Sequence, residues 1–259
     1  MILPRKVVLE IESICRSFLW NGNHVATGSA AVAWNSICDT KSTSGLGFRN
    51  ISDWNLAAMF KYVWAIAKKE DNLWVKWVHN VYIKEDNWWS YKATSAASWY
   101  WKKLVTIKER ARELFDEDQV LNEKYKVVVG FQSLRPSTCR VEWSSIVWSR
   151  MNMPKHSFIF WLSMLNRLKT KDRIQVYKQV EDTKCFFCQT EEETLQHLFF
   201  DCSFSSNCLK EIKDWLSWRM ASNSLHRIVR WIRKAKISKA KKDDSYCSFG
   251  SPSILHLES

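Results

Sequence analysis

Three cysteines and one histidine lie within the segment CFFCQTEEETLQHLFFDC at 185–202. Their spacing is Cys185-x2-Cys188-x8-His197-x4-Cys202. Thiolate and imidazole groups are ligands that zinc prefers, and a structural zinc ion takes four of them in a tetrahedron. A tight turn can point the two sulfurs of the first pair the same way, so a separate element must supply the second pair. The spacing therefore predicts a closed, structural zinc site.

That separate element is predicted to be a short helix. Thr190 and Glu193 have the spacing of a capping box, which indicates a helix that begins at Thr190. His197 then lies near the middle of the helix, and Cys202 lies about 140° further round an ideal helix. We therefore expect the helix to end or unwind near Asp201, so that Cys202 can reach the same ion. Binding of the ion would contribute about 10–16 kcal/mol, mostly as folding energy.

Three other interpretations of the segment stay open on the sequence alone. The cysteines can be small buried apolar residues. The Cys-x-x-Cys pair can be a redox motif, although that motif requires a βαβ context that the pattern does not indicate. His197 can also be a core histidine beside incidental cysteines. Cys208 is a reserve ligand, but its spacing from Ile212 favours core packing.

The remaining sequence favours helices. Hydrophobic residues make up 46% of the chain, which contains only 6 Gly and 4 Pro. Apolar residues recur at steps of three and four, with helices expected to begin near Pro4, at a Ser52 cap, at Asp71 or Asn72 and at Pro154. In the third of these helices the residues expected to face inward are Leu73, Trp74, Trp77, Val78 and Val81.

The predicted fold class is mainly α, with an N-terminal helical region and a small zinc-stabilised helical C-terminal domain. Residues 1–115 form the helical region. Residues 116–142, where the periodicity weakens, are a weakly ordered connection and the start of the next domain. Residues 143–220 form the zinc-stabilised domain, and 221–259 form a basic helix and a disordered tail.

The net charge of +12 suits a polyanionic partner, nucleic acid first and an anionic membrane second, although a solvated basic surface explains the charge as well. The N-terminus lacks the features of a signal peptide, and no window approaches the length of an apolar membrane span. We therefore expect an intracellular protein, in the nucleus or cytoplasm, without a membrane partner.

The segment from Arg227 to Lys242 carries the strongest electrostatic signal for nucleic acid. Trp231, inside it, can stack on a base or pack inward. A second, less clustered basic patch lies beside the cysteine segment and comprises Lys155, Arg167, Lys169, Lys171 and Arg173. The candidate nucleic-acid-binding residues of the stronger segment are Arg227, Arg230, Arg233, Lys234, Lys236, Lys239, Lys241 and Lys242.

Two stretches carry a family resemblance, PKHSFIFWLSMLNRLKTKDRI followed by CFFCQTEEETLQHLFFDCSFS. They resemble the reverse-transcriptase zinc-binding domain near the C-terminal end of plant LINE-type (non-LTR) retrotransposon polyproteins. Upstream, FLWNG, VAWNSIC, GLGFRNISDWNLAAMFKYVWAI, LWVKWVHNVYI and SWYWKKL are similar to the region after the polymerase thumb of those elements. The likeness covers roughly residues 2–215 and includes all four predicted ligand positions.

The resemblance implies a structural Zn²⁺ and a role in holding RNA or DNA. Polymerase activity requires paired aspartates that bind two metal ions. The chain's Asp-Asp pair, Asp243-Asp244, lies in a polar tail without that context. We therefore expect no catalytic residues and no enzyme activity, and a detached fragment of such an element. The alternatives are a zinc-stabilised protein-interaction scaffold, and an enzyme part that works only with the missing reverse transcriptase domains in trans.

Overall fold

The computed structural model describes residues 2–23, 30–135, 139–220 and 222–234. Within these ranges the regular structure is helical, and a single isolated antiparallel bridge joins Lys184 to Glu192. The predicted mainly α fold class is confirmed. A 3-10 turn (Lys41–Thr43) and two π-helical turns (His79–Ile83 and His197–Asp201) accompany the α-helices. In chain order the α-helices are α1 (Arg5–Asn21), α2 (Trp34–Cys38), α3 (Ile51–Ala67), α4 (Leu73–Val78), α5 (Trp99–Leu114), α6 (Glu117–Asn122), α7 (Val127–Ser133), α8 (Ser144–Val147), α9 (Pro154–Met164), α10 (Lys171–Gln175), α11 (Ser203–Trp215) and α12 (Leu225–Lys234).

The chain divides into two compact units, each built from two stretches of sequence. The first unit consists of Met1–Gly28 and Arg49–Thr138, and the second consists of Ser29–Phe48 and Cys139–Ser259. The segment 29–48 thus belongs with the residues that carry the cysteine cluster. The domain boundaries drawn from the sequence, at 115, 142 and 220, stay predictions.

Helix α3 is the centre of the first unit, where it packs against α5, α6 and α7. Its buried positions include Phe60, Val63 and Ile66, all fully enclosed. Apolar residues at steps of three and four produce this face, as the sequence pattern predicted. Asn50 caps the helix, because its side chain accepts a hydrogen bond from the backbone N–H of Asp53 at 3.1 Å. The predicted Ser52 cap was wrong by two residues.

Tyr125 connects the region after α6 to α3 through a hydrogen bond and a ring contact. Its hydroxyl donates to the carbonyl of Ala57 at 2.5 Å, and its ring lies 4.6 Å from that of Trp64. Burial raises the pKa of Tyr125 well above its usual range. Helix α7 passes so close that a Cβ at Gly130 would lie 1.9 Å from the Tyr125 oxygen. A side chain at position 130 would therefore displace the Tyr125 hydroxyl from its position.

A fully buried lysine holds the loop before α5. The ammonium group of Lys108 donates to the carbonyls of Trp88, Trp89 and Tyr91 at 3.2, 3.1 and 2.7 Å. It also lies 2.9 Å from a carboxylate oxygen of Glu109. These three carbonyls belong to irregular backbone, so the lysine supplies the hydrogen bonds that a helix or sheet would otherwise provide.

The predicted inward face of α4 was partly wrong. Leu73, Trp77 and Val81 are 87%, 50% and 46% exposed, whereas Val75 and Val78 are buried. Asn72 caps the helix as expected, accepting from the N–H of Val75 at 2.8 Å. After six residues the helix passes into a π-helical turn, which changes the face that following residues present.

In the second unit α9 carries the main buried face. Proline occupies the first turn of this helix, as the sequence predicted. Trp161 is fully buried, and its indole N–H donates to the carbonyl of Ser44 at 2.7 Å. The N–H of Val141 bonds the carbonyl of Ser42 at 2.9 Å. These bonds tie the segment 30–48 to the rest of the unit.

Helices α11 and α12 are amphipathic. Leu225, Ile228, Val229 and Ile232 form the buried face of α12, and its cationic residues face outward. On α11, Leu209 is buried. Trp215, the last residue of the helix, is 67% exposed.

The longest described helices, α1 and α3, each have 17 residues. Both include charged side chains, such as Glu10 in α1 and Lys61 in α3. No helix within the described ranges is both long enough and apolar enough to cross a bilayer.

Replacing Lys108 with methionine should destabilise the first unit. The substitution keeps an apolar stem of similar length but leaves three buried carbonyls without their donor. The free energy of unfolding, measured by urea denaturation, should fall by about 2–4 kcal/mol. Lys103→Met, at an exposed position of the same helix, is the control and should change it by less than about 0.5 kcal/mol. Equal effects of the two substitutions would contradict this role of Lys108.

Candidate metal centre

The first two cysteines of the cluster lie on a tight turn. The N–H of Cys185 bonds the carbonyl of Glu191 at 2.7 Å, and the N–H of Gln189 bonds the carbonyl of Cys185 at 2.9 Å. Gln189 adopts a left-handed backbone with φ of 57°. The bridge between Lys184 and Glu192 closes the base of the turn. This short loop is the Cys185–Glu191 knuckle, and it presents the sulfurs of Cys185 and Cys188 on one side.

A π-helical turn supplies the other two side chains. The N–H of Cys202 bonds the carbonyl of His197 at 2.8 Å, a step of five residues instead of the four of an α-helix. The wider turn brings Cys202 back under His197. The helical turn ends at Asp201, as expected, and Cys202 has an extended backbone.

The predicted capping box was wrong. The helical turn begins after Thr194, whose hydroxyl accepts a hydrogen bond from the N–H of His197 at 3.0 Å. Thr190 lies in the knuckle, and its hydroxyl donates to the sulfur of Cys188 at 3.1 Å. Glu193 is 5% exposed, and its carboxylate accepts hydrogen bonds from the backbone N–H groups of Lys171 and Phe186. Threonine is a residue type that caps helices, and Thr194 lies three residues before His197. The sequence therefore contained a signal for the correct cap.

The four predicted ligands, Cys185, Cys188, His197 and Cys202, come together. Their ligand atoms all lie within 4.8 Å of one another. The sulfurs of Cys185 and Cys202 are 3.9 Å apart, and the sulfur of Cys188 is 3.2 Å from Nε2 of His197. Two sulfurs bound to one tetrahedral zinc at 2.3 Å would be about 3.8 Å apart. The donor set and its spacing therefore fit a four-coordinate metal ion.

Three of the four ligands are buried, and Cys188 is half-buried. Cys185 and Cys202 are fully buried, and His197 is 8% exposed. Burial raises the pKa of Cys185, and the neighbouring Cys202 raises it further, against the lowering effect of nearby backbone N–H groups. A bound cation offsets both effects, because a coordinating thiol loses its proton.

Cys188 has the opposite electrostatic environment. Hydrogen bonds from the Glu191 backbone N–H, and then from the hydroxyl and N–H of Thr190, lower the pKa of Cys188 to about 5. The knuckle thus favours a thiolate at Cys188 near neutral pH. A thiolate is the form in which cysteine binds metals.

Glu193 links the cluster to α10. One carboxylate oxygen accepts from the N–H of Lys171 at 3.2 Å, and the other accepts from the N–H of Phe186 at 3.4 Å. Lys171 in turn donates to the carbonyl of Lys184 at 2.7 Å and pairs with Asp182 at 3.1 Å. The carboxylate therefore connects the knuckle to α10. Nothing in the run of three glutamates distinguished the buried one.

The other described cysteines lie outside the cluster. Cys208, the reserve ligand, is half-buried on α11. Cys15, Cys38 and Cys139 also do not join the four-residue group. Within the part of the chain that the structure describes, this is the one group of at least three potential ligands whose ligand atoms lie close enough together to bind one metal ion.

The predicted basic segment is only partly described. Arg227, Arg230, Arg233 and Lys234 are exposed on α12. Glu142 lies 3.5 Å from Arg230 and 2.8 Å from Arg233. The half-buried Trp231 lies edge-on to Trp218, with ring centroids 5.4 Å apart. Outside the described residues lie Lys236, Lys239, Lys241 and Lys242.

Comparison with known proteins places the cluster in a recognised sequence family. The family described as zinc-binding in reverse transcriptase matches residues 125–208, a range that contains all four clustered ligands. A protein of Arabidopsis thaliana, named as a ribonuclease H protein, is 24% identical over 103 residues, which are 38% of this chain and 17% of that relative. The match thus spans less than a fifth of the relative's length. No solved structure matches the chain.

Removing one ligand should abolish stable metal retention. Reduced wild-type protein should contain one zinc ion per chain, and Cys202→Ser should lose most of it, because serine does not replace a thiolate ligand. Cys208→Ser, outside the cluster, is the matched control and should retain the ion. Elemental analysis before and after chelation provides the measurement. Wild-type protein without zinc, or a Cys202→Ser variant as resistant to chelator as wild type, would refute the site.

Glu193 should affect metal affinity without touching the ion. Glu193→Ala removes the acceptor that positions the N–H groups of Phe186 and Lys171, and should weaken zinc binding by roughly 10–100-fold. Glu193→Gln keeps one acceptor oxygen and should lie between this variant and wild type. Competition with a chromophoric chelator measures the affinities. Glu191→Ala, at an exposed position, should match wild type, and an equal loss in that control would contradict the assignment.

Proposed function

We propose that the protein is a non-catalytic, zinc-binding and nucleic-acid-binding remnant of a LINE-type retrotransposon reverse transcriptase. The proposal starts from the match of residues 125–208 to the family described as zinc-binding in reverse transcriptase. The observation that carries the proposal is the convergence of three thiols and one imidazole within 4.8 Å inside the matched range. The polymerase and endonuclease sites would belong to other parts of the ancestral polyprotein.

Zinc is the proposed ion. Cys185, Cys188, Cys202 and Nε2 of His197 would hold it, and four protein ligands leave no position for a substrate. Its contribution is structural: it would neutralise the buried thiolates and join the knuckle to the π-helical turn. Free energy of binding would then appear mostly as folding free energy of the second unit.

Charge supports nucleic acid as the partner. The chain carries 39 basic and 27 acidic residues, and α12 turns its arginines to the surface. Contacts of this kind bind phosphates without regard to base sequence and weaken steeply with salt. The proposed partner is RNA or DNA, and the missing reverse transcriptase domains would be a second partner in trans.

The absence of catalysis is part of the proposal. A polymerase site requires paired carboxylates that hold two metal ions on a rigid turn. The adjacent pair Asp243-Asp244 lies outside the described residues, in a tail that follows a run of lysines. The ribonuclease H name belongs to the Arabidopsis relative, of which the match covers 17%.

A protein-interaction scaffold is the second candidate function. Exposed large apolar side chains favour it, since Leu73, Trp77 and Trp99 are 87%, 50% and 67% exposed in the first unit. Aromatic residues of this kind are enriched in protein interfaces. This candidate predicts binding to proteins and no affinity for nucleic acid.

The two candidate functions differ in salt-dependent binding. Zinc-loaded protein should bind labelled single-stranded RNA or duplex DNA at low salt, and log K should fall with log salt by about 0.7 per contacted phosphate of a single strand. Fluorescence anisotropy at several salt concentrations measures this slope. No binding at the lowest salt would favour the scaffold, and metal-dependent nucleotide incorporation by the chain alone would overturn the non-catalytic assignment.

A further inference from the structure

A basic cavity lies next to the metal centre in the second unit. Its volume is about 370 Å³, and its lining includes Arg167, Lys169, Arg173, Asp172 and Tyr177. These residues come from α10 and from the segments on either side of it. The cavity contains three cationic side chains and an aromatic ring within eleven residues of sequence, a combination that suits a phosphate beside a base.

The charges in this cavity are available to a ligand. Arg167 and Lys169 are exposed, and no carboxylate among the described residues pairs with either. Arg173 donates to the carbonyl of Asn166, which fixes its guanidinium against the wall. Asp172 accepts a hydrogen bond from the Thr170 hydroxyl. Three cations against this one carboxylate leave the lining positive.

The outward arginines of α12 differ in this respect. Arg230 and Arg233 both lie within ion-pair distance of Glu142. A phosphate would have to compete with that carboxylate for their guanidinium groups. Arg167 and Lys169 meet no such competition from the described residues.

An exposed side-chain surface borders the basic residues. Tyr177 is 58% exposed and Val176 is 85% exposed, so both can contact a ligand. An aromatic ring stacks on an unpaired base but has no access to the face of a base inside a duplex. The cavity is therefore suited to a single strand.

Hydrogen bonds attach α10 to the metal-binding knuckle. The N–H of Asp172 bonds the carbonyl of Glu193 at 3.3 Å, and the N–H of Lys171 bonds its carboxylate at 3.2 Å. The side chain of Lys171 reaches the carbonyl of Lys184 at 2.7 Å. The position of α10, and with it the lining of the cavity, depends on the fold of the knuckle.

We infer that this cavity is a binding site for single-stranded nucleic acid, in which Arg167 and Lys169 contact phosphates and Tyr177 stacks on a base. The inference rests on the proposed nucleic-acid binding and assigns it to a surface other than α12. The shared chemistry is a phosphodiester beside an unstacked base. Matched RNA and DNA strands of one sequence distinguish the two sources, because a contact to the 2′-hydroxyl would favour RNA.

The test measures anisotropy of labelled single-stranded RNA and DNA oligonucleotides with full-length, zinc-loaded protein. Arg167→Ser combined with Lys169→Ser should weaken binding about tenfold or more at low salt and reduce the salt slope by roughly 1.4, the value for two phosphate contacts. Tyr177→Ala should weaken it roughly 5- to 150-fold, whereas Tyr177→Phe, which retains the ring, should stay within about twofold of wild type.

Two further double variants each remove two positive charges outside the cavity, the same number as the cavity variant. Lys61→Ser with Lys103→Ser, at exposed positions of the first unit, should leave binding within about twofold of wild type. Arg230→Ser with Arg233→Ser tests α12. Zinc content of one ion per chain and an unchanged circular dichroism spectrum establish that each variant is folded, and the Tyr177 pair supplies a comparison that retains every charge.

The outcomes distinguish the cavity as the binding site from nucleic-acid binding by the protein in general. Loss confined to the cavity variants supports the inference. Binding that survives the cavity variants but falls with the α12 variant overturns the inference and leaves the proposed function standing. Equal losses in the cavity variant and the first-unit control also overturn it, because net charge alone would then explain binding. Wild-type protein that binds neither oligonucleotide refutes both.

Discussion

The second unit depends on the meeting of three sulfurs and one imidazole nitrogen in a buried space. The ligand atoms lie within 4.8 Å of one another, and two of the thiols are fully enclosed. Thiolates buried at this separation would repel one another and lose hydration, and a bound cation would compensate both effects. Local structure adapts to this requirement: the knuckle turns tightly at Gln189, and the helix widens to a π-turn before Cys202.

Buried charges perform a similar task in both units. Lys108 donates to three carbonyls of a loop in the first unit, and Glu193 accepts from two N–H groups in the second. In each case an ionised side chain satisfies backbone groups that no helix or strand satisfies. Hydrogen bonds to charged groups are stronger than neutral ones, so one side chain can hold several irregular segments together.

Glu193 also connects the metal centre with the proposed binding cavity. Through this residue and Lys171, the fold of the knuckle determines where α10 lies. A structural ion with no open coordination position can in this way influence ligand binding at a neighbouring surface. A closed zinc site contributes folding energy, whereas a catalytic zinc site keeps an open position. The candidate metal centre and the proposed binding cavity are therefore linked through hydrogen bonds within the second unit.

The amino-acid sequence alone determined the helical class and the four members of the cluster. Helical class follows from apolar periodicity, which is local, and the cysteine and histidine residues are recognisable because their chemistry and spacing are specific. The helix caps at Asn72 and the proline start of α9 were predictable for the same local reason.

Tertiary structure decided the features that depend on distant partners. Leu73 and Trp77 are exposed and Glu193 is buried, although their residue types suggest the opposite, because neighbouring segments determine which face of each element is covered. The π-turn between His197 and Cys202 satisfies the geometry of the cluster, a constraint that arises only when the knuckle lies beside it. Likewise, the residues 29–48 join the second unit through bonds such as that from Trp161 to Ser44, which are 117 positions apart in the chain. Periodicity encodes each helix separately, but burial and pairing depend on contacts between residues far apart in sequence.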